Sequence, residues 1–136
     1  MYVLVSDGGS KGNPGPSACA FGLYLTDNEK WIFRKSIYLG LGTNNTAEYH
    51  GLIYGLLSVW TSNLDKLVVL SDSELMINQI KGTYACSSQN LIPLLNQVNQ
   101  IILNTTIKIK FQHYPRSHHL IKDIDTEYNI CMKLNK

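Results

Sequence analysis

Apolar side chains recur along the first part of the chain in short runs that predict β-strands. Three such runs occupy residues 2–7, 18–26 and 30–40, and each is bounded by turn-forming residues. Glycine and proline are dense over residues 8–17, which predicts a loop, and residues 27–29 (Asp-Asn-Glu) supply a turn. Strands joined by such short connections predict an antiparallel meander.

The spacing of apolar residues then changes to a helical period. Residues 43–46 (TNNT) offer N-cap chemistry, and a helix is predicted from about Ala47 to Trp60. Ala47, Gly51 and Gly55 share one face of this helix. Because each glycine costs about 1 kcal/mol of helix stability relative to alanine, close packing of this face on a sheet is the natural compensation.

The rest of the chain predicts two further strands and three further helices. These elements are a strand at 67–72, helices at 73–81 and 90–103, a strand at 107–114 and a helix at 119–133. The strand at 67–72 follows a helical crossover and should therefore lie parallel to the first strand. The order predicts an α/β fold on a mixed five-stranded sheet, with three antiparallel strands followed by two parallel ones and helices on both faces.

Length and composition are those of one ordinary globular domain, predicted to span residues 1–136. Hydrophobic residues make up 44% of the chain and charged residues 16%, and no apolar run is long enough to cross a membrane. The N-terminus predicts a strand and not a signal peptide. Three widely spaced cysteines argue against disulfides or a zinc site, so we expect reduced thiols in an intracellular, cytoplasmic protein. A net charge of +2 permits a nucleic-acid partner without requiring one.

Four acidic residues are candidates for chemistry. Asp7 and Asp72 end two strands that are predicted to be parallel, and ligands bind at the carboxyl ends of such strands. Glu48 falls in the predicted first turn of the crossover helix, and Asp125 would come from the last helix. Converging carboxylates repel one another, and hard divalent cations such as Mg²⁺ relieve that repulsion. Two such ions about 4 Å apart can clamp the attacking and leaving oxygens of a phosphodiester.

Each acid alone also has an ordinary structural explanation. A strand-ending aspartate is commonly a turn or cap residue, and a glutamate early in a helix is favoured by the helix dipole. The combination of these acids, in this order and on these elements, favours the catalytic interpretation.

Three segments carry a resemblance to a known family. They are Asp7–Pro16 (DGGSKGNPGP), Thr43–Tyr49 (TNNTAEY) and Leu70–Ser73 (LSDS). Their sequences, order and spacing resemble the signatures of type 1 ribonucleases H, and the similarity covers nearly the whole chain. The resemblance implies a ribonuclease H-like fold and an endonuclease that cuts the RNA strand of RNA–DNA hybrids. It also implies two Mg²⁺ ions, with Mn²⁺ as a substitute, and products with 5′-phosphate and 3′-hydroxyl ends.

The resemblance also implies roles for individual residues. The implied metal ligands and catalytic residues are Asp7, Glu48, Asp72 and Asp125. The implied substrate-binding residues are Gly8, Asn13, Thr43, Asn44 and Asn45. Asn44 and Asn45 would sense the 2′-hydroxyls that distinguish RNA from DNA, and Thr43 would approach a phosphate of the DNA strand. Gly8, with Gly9, would let the nucleic-acid backbone come close, although both could equally be turn glycines.

The fourth carboxylate and a helper residue are left open by the sequence. Asp123 lies seven residues after Arg116, which suits the family spacing, but Asp125 follows Ile124 and sits on a better apolar helical face. We favour Asp125 over Asp123. Family members carry a mobile histidine or arginine near this acid. The candidates are His113, Arg116, His118 and His119, and the sequence does not select among them.

The chain departs from some family members in what it lacks. Residues 82–89 are too short for the extra basic helix that grips the DNA strand in those members, and no separate hybrid-binding domain is evident. We therefore expect a monomer with weaker affinity for the hybrid. Three other interpretations compete with hydrolysis of hybrids: an inactive duplex-binding module, a nuclease or transposase-like enzyme that acts on DNA, and a structural domain that binds no metal.

Overall fold

A five-stranded sheet between two helical layers forms the molecule. The computed structural model describes residues 1–135. Its strands are β1 (Tyr2–Ser10), β2 (Gly15–Leu25), β3 (Lys30–Gly42), β4 (Lys66–Ser71) and β5 (Lys108–His113). Its helices are α1 (Asn44–Val59), α2 (Glu74–Ile80), α3 (Ile92–Leu103) and α4 (His119–Leu134), with a short 3₁₀ turn at Thr26–Asn28. The last residue of the predicted domain, Lys136, lies outside the described residues.

The strand order is β3-β2-β1-β4-β5. Strand β2 is antiparallel to both β1 and β3, whereas β4 is parallel to both β1 and β5. The predicted mixed sheet is therefore confirmed. No described helix combines the length and the apolar character needed to cross a membrane.

The first hairpin is longer than predicted. The segment 8–17 was expected to be a loop, but Gly8 pairs with Cys19 and Ser10 pairs with Ser17, so the turn spans only residues 11–14. The glycines remain in the strand because backbone pairing needs no side chain. Asp7 consequently lies within β1 and not at its end, as had been expected.

Helix α1 begins three residues before its predicted start. Thr43 is the N-cap, and its hydroxyl accepts a hydrogen bond from the Thr46 amide at 3.2 Å. The Thr46 hydroxyl in turn accepts from the Thr43 amide at 3.0 Å, which completes a capping box. Glu48 therefore lies in the second turn of the helix and not in the first.

The two faces of β1 pack against different helices. Leu4 points into a large core that also contains residues of α1, α2 and α3. Val3 and Val5, which alternate with Leu4, pack instead against Ile121 and Ile124 of α4. The helices thus cover both faces of the sheet and hold β1 at its centre.

Helix α1 lies unusually close to β1. A Cβ atom on Gly8 would collide with the backbone carbonyl of Ala47, and one on Gly51 would lie 2.6 Å from the backbone oxygen of Asp7. A Cβ atom on Gly55 would meet the Leu4 side chain at 3.2 Å. The predicted packing of the small-residue face is therefore observed.

The connection between α2 and α3 carries no helix. Gly82 has a φ of 80° just after α2, the left-handed conformation that glycine favours at a helix C-terminus, and the chain then passes through turns to α3. The basic helix of some family members is absent from this part of the described chain.

We predict that Gly51→Ala destabilises the protein, although alanine is the better helix former. The new methyl group would press on rigid strand backbone, so we expect a loss of about 2 kcal/mol in the free energy of unfolding. Urea unfolding followed by circular dichroism measures it. Ser58→Ala, on an exposed part of the same helix, is the control. A Gly51→Ala variant as stable as this control would contradict the close packing.

Candidate active site

Three carboxylates from three different elements converge at one edge of the sheet. Asp7 comes from β1, Glu48 from α1, and Asp72 directly follows β4. One carboxylate oxygen of each residue lies within 4.8 Å of those of the other two. The predicted convergence of these acids is therefore present in the structure.

The backbone of Gly8 orients two of these acids. Its amide donates to Asp7 Oδ1 and to Glu48 Oε1, each at 2.9 Å. A side chain on Gly8 would separate β1 from α1 and break this shared contact. The absence of a side chain at Gly8 is thus explained by helix packing, whereas the sequence had suggested a turn or an approaching nucleic acid.

Burial makes ionisation of the clustered acids unfavourable. Asp7 is almost fully buried, and burial together with the charge of Asp72 raises the pKa of Asp7 to about 7. Burial and the charge of Asp7 also raise the pKa of Glu48 well above its ordinary value. The cluster therefore needs positive charge when all its members are ionised.

The donor set suits a hard divalent cation. Carboxylate oxygens are the ligands that Mg²⁺ and Mn²⁺ accept in proteins. Glu48 Oε2 is buried and has no hydrogen-bond partner, which is costly for a carboxylate oxygen unless a further group meets it. The residues present therefore fit a metal centre.

Arg116 is a basic partner of the acids, a role that the sequence did not predict. Its Nε donates to Asp72 Oδ2 at 2.8 Å, and its Nη2 lies 3.9 Å from Asp7 Oδ1. The hydrogen bond with Asp72 raises the pKa of Arg116, so the guanidinium stays charged. Its side chain is 63% exposed and can move away from the acids. Of the four helper candidates, Arg116 alone lines the cleft that contains these acids.

The two candidates for the fourth carboxylate have different surroundings. Asp125 lines the same cleft of about 370 Å³ as Asp7, Glu48 and Asp72. Asp123 instead accepts a hydrogen bond from the indole Nε1 of Trp31 at 3.0 Å, on the side of β3. This arrangement favours Asp125 as the fourth acid.

Two of the predicted substrate-binding residues form a small network beside the cleft. The side-chain oxygen of Asn44 accepts from the Ser10 amide at 2.8 Å, and that of Asn13 accepts from the Asn44 amide at 3.0 Å. Thr43 is occupied as the N-cap of α1, and Asn45 is exposed in the first turn. The hairpin is thereby tied to the start of α1, and Asn44 lines the cleft.

The remaining helper candidates lie elsewhere. His118 caps α4 by accepting from the Leu120 amide and stacks on His119 at 4.8 Å between ring centroids. Burial, together with the neighbouring His119, lowers the pKa of His118. His113 is the exposed last residue of β5.

Tyr128 is a cleft residue that sequence reasoning missed. It packs with the apolar residues of α4 and also lines the cleft together with Asp125. The spacing of three residues from Asp125 places both on one helix face and was the available signal. Burial, then the charges of Asp7 and Asp125, raise the pKa of Tyr128.

Solved structures that share this fold include ribonucleases H1. Ribonuclease H1 from the archaeon Halobacterium salinarum matches with a TM-score of 0.88 and 25% identity, over 97% of each chain. LC11-RNase H1 in complex with an RNA/DNA hybrid matches with a TM-score of 0.83 over 97% of this chain and 99% of that chain. Its identity of 24% makes this a likeness of fold. The predicted ribonuclease H-like fold is confirmed.

The sequence comparison then gives the family. A family model described as reverse transcriptase-like matches residues 6–120, and the chain belongs to this family. The match includes Asp7, Glu48 and Asp72 and ends before Asp125. A bifunctional protein of Mycobacterium tuberculosis is 31% identical over 121 residues, which are 89% of this chain and 33% of that protein. The chain thus spans about a third of the length of this curated relative.

We predict that Asp7→Asn stabilises the metal-free protein at pH 8 and not at pH 4. Because the pKa of Asp7 is raised from 3.8 to about 7, the folded wild type binds more protons than the unfolded chain between these values. Its free energy of unfolding therefore falls as the pH rises from about 4 to 7 and levels off above 7.

The asparagine variant escapes this penalty, which is at most about 4 kcal/mol. Thermal unfolding in EDTA across this pH range measures the difference from wild type. Asp65→Asn, at an exposed position, is the control. A difference that does not grow between pH 4 and pH 7 would refute the raised pKa.

Proposed function

We propose that this chain hydrolyses the RNA strand of RNA–DNA hybrids in a metal-dependent, endonucleolytic reaction. The observation that carries the proposal is the cluster of Asp7, Glu48 and Asp72, in which a buried Glu48 oxygen lacks a partner. The likeness to ribonucleases H1, one of them solved with an RNA/DNA hybrid, supports the choice of substrate.

Four acids would hold the metal in this proposal. Asp7, Glu48, Asp72 and Asp125 would bind two Mg²⁺ ions, for which Mn²⁺ can substitute. When bound, the ions supply an activated water and stabilise the charge that develops on the phosphate. The Gly8 amide keeps Asp7 and Glu48 in their relative positions, so that little reorganisation is needed. Attack of water at phosphorus and cleavage of the P–O3′ bond would leave 5′-phosphate and 3′-hydroxyl ends.

The surroundings of the acids would bind the hybrid. Asn44 and Asn45 would contact 2′-hydroxyls of the RNA strand, and the network through Asn13 would hold Asn44 in place. Thr43 would approach a phosphate of the DNA strand, and the backbone of Gly8, which lines the cleft, would lie beside the nucleic acid. Since one chain supplies all the acids of the cleft, we propose a monomer as the active form.

Arg116 would move when substrate and metal arrive. Its guanidinium neutralises Asp72 and Asp7 in the structure, and both acids are needed as metal ligands. The exposed side chain can turn towards the phosphate backbone, where a guanidinium binds well. This gives Arg116 the helper role among the four candidates.

Cleavage of matched duplexes tests the substrate. We expect the protein to cut a labelled RNA–DNA hybrid with Mg²⁺ or Mn²⁺ and to leave DNA–DNA of the same sequence intact, because the DNA lacks 2′-hydroxyls. RNA–RNA of that sequence shows whether the DNA strand is also recognised. Cleavage of the DNA duplex, or no cleavage of the hybrid, would contradict the proposal.

Substitution of single carboxylates tests the metal ligands. We expect Asp7→Asn and Asp72→Asn to lower hybrid cleavage at least about a hundredfold, because metal catalysis supplies several kcal/mol of stabilisation to the transition state. We expect Asp125→Asn to lower it at least about tenfold and to weaken Mn²⁺ binding in calorimetry.

Asp123→Asn is the matched control, because its oxygen can still accept from Trp31. It should cleave at the wild-type rate. Full activity in Asp125→Asn together with a large loss in Asp123→Asn would exchange the two assignments.

A further inference from the structure

The hydroxyl of Tyr128 reaches the cleft from the α4 side, and packing of the tyrosine ring fixes its position. The ring packs against two apolar clusters, one with Ile121 and Ile124 and one with Ala18 and Cys131. Tyr128 lines the cleft with Asp7 and Asp125, and its Oη lies against Gly9, which lines the same cleft. An aromatic side chain anchored in this way loses little further entropy when its hydroxyl binds a ligand.

Gly9 makes the room that this hydroxyl occupies. A Cβ atom on Gly9 would lie 2.9 Å from Tyr128 Oη, closer than Cβ atoms come to other heavy atoms, and 3.1 Å from Cζ, which is a tight contact. Gly9 is paired with Ala18 within β1 and β2, and its φ is not positive, so the backbone conformation does not demand glycine. The missing side chain at Gly9 is therefore explained by the ring of Tyr128.

Among the described residues, none is hydrogen-bonded to the Tyr128 hydroxyl. The side-chain hydrogen bonds of this helix beyond Asp123 come from Thr126 and Asn129, with one more from the C-cap Asn135. Packing alone would be served by phenylalanine. The hydroxyl at the edge of the cleft is thus free to meet a ligand.

The chemistry of the cleft indicates what that ligand is. Two residues of α4 line it, and an ionised Asp125 can only accept hydrogen bonds. A nucleic-acid phosphate also offers only acceptors. Asp125 would repel a nucleic-acid strand that passes α4 on its way to the acids unless a hydrogen-bond donor lies beside it. Tyr128 is the hydrogen-bond donor that α4 offers in the cleft.

We propose that Tyr128 is a substrate-binding residue whose hydroxyl, placed over Gly9, donates a hydrogen bond to a backbone phosphate of the duplex in the cleft. This inference rests on the proposed function and adds a contact on the α4 side, opposite Asn44. The bond aligns the strand with the acids and takes no part in the chemical step.

Tyr128→Phe isolates the hydroxyl because the ring remains. With Mg²⁺, we expect it to raise KM for the hybrid about fivefold, as the loss of one hydrogen bond predicts, and to change kcat less than about twofold. The inhibition constant of a DNA–DNA duplex should rise by the same factor, since both duplexes carry phosphates. Tyr54→Phe, at a half-exposed tyrosine outside the cleft, should leave all three constants unchanged.

Gly9→Ala tests the placement of the ring. The added methyl group should displace the phenol and raise KM as Tyr128→Phe does. In a Tyr128→Ala background the same glycine substitution should change KM less than about twofold, because the methyl group then fills empty space. Thermal unfolding of each variant verifies that it is folded.

The outcomes separate this inference from the proposed function. A wild-type KM in Tyr128→Phe overturns the inference while hybrid cleavage by wild type stands. A loss confined to the hybrid assigns the contact to a 2′-hydroxyl and overturns the phosphate assignment. An equal Gly9→Ala effect with and without Tyr128 also overturns it. A wild type that neither cleaves the hybrid nor binds the DNA duplex overturns both proposals.

Discussion

The close contact between β1 and α1 is the constraint on which the rest of the structure depends. Gly8 and Gly51 let the two backbones meet, and only at that separation can one amide serve both Asp7 and Glu48. The same contact buries the acids and raises the pKa of both. The packing of the core and the electrostatics of the cleft therefore both follow from the short distance between β1 and α1. Gly51 lowers the intrinsic stability of α1 as a helix but allows the helix to pack closely on the sheet.

The sequence predicted the parts of this arrangement that follow from the spacing of apolar and small residues and from the order of the elements. The order of the elements, the parallel pairing of β4 with β1 and the small-residue face of α1 all followed from spacing. The limits of β1 did not, because Gly8 and Gly9 predict a loop by composition and remain in the strand through packing against Ala47 and Tyr128. Local propensity carries no information about a contact that another element makes.

Long-range contacts also explain what the sequence left open at the cleft. Asp123 and Asp125 are nearly equivalent by spacing, and their surroundings differ because Asp125 lines the cleft whereas Asp123 accepts a hydrogen bond from Trp31, 92 residues earlier in the chain. Arg116 was one of four helper candidates until its contact with Asp72 was visible. In each case the contact that separates the candidates comes from a distant part of the chain, so the sequence pattern of one segment could not predict it.

The fold brings together cleft residues from segments that lie far apart along the chain. Its acids are contributed in succession by β1, α1, the end of β4 and finally α4, which packs on the opposite face of the central strand from α1. Helix α4 follows the other three contributors along the chain, so a segment that ends before α4 can bury Leu4 while the other face of β1 and the cleft stay open. The four-acid cleft is therefore complete only when α4 has docked on β1, and its formation depends on packing of elements from almost the whole described chain.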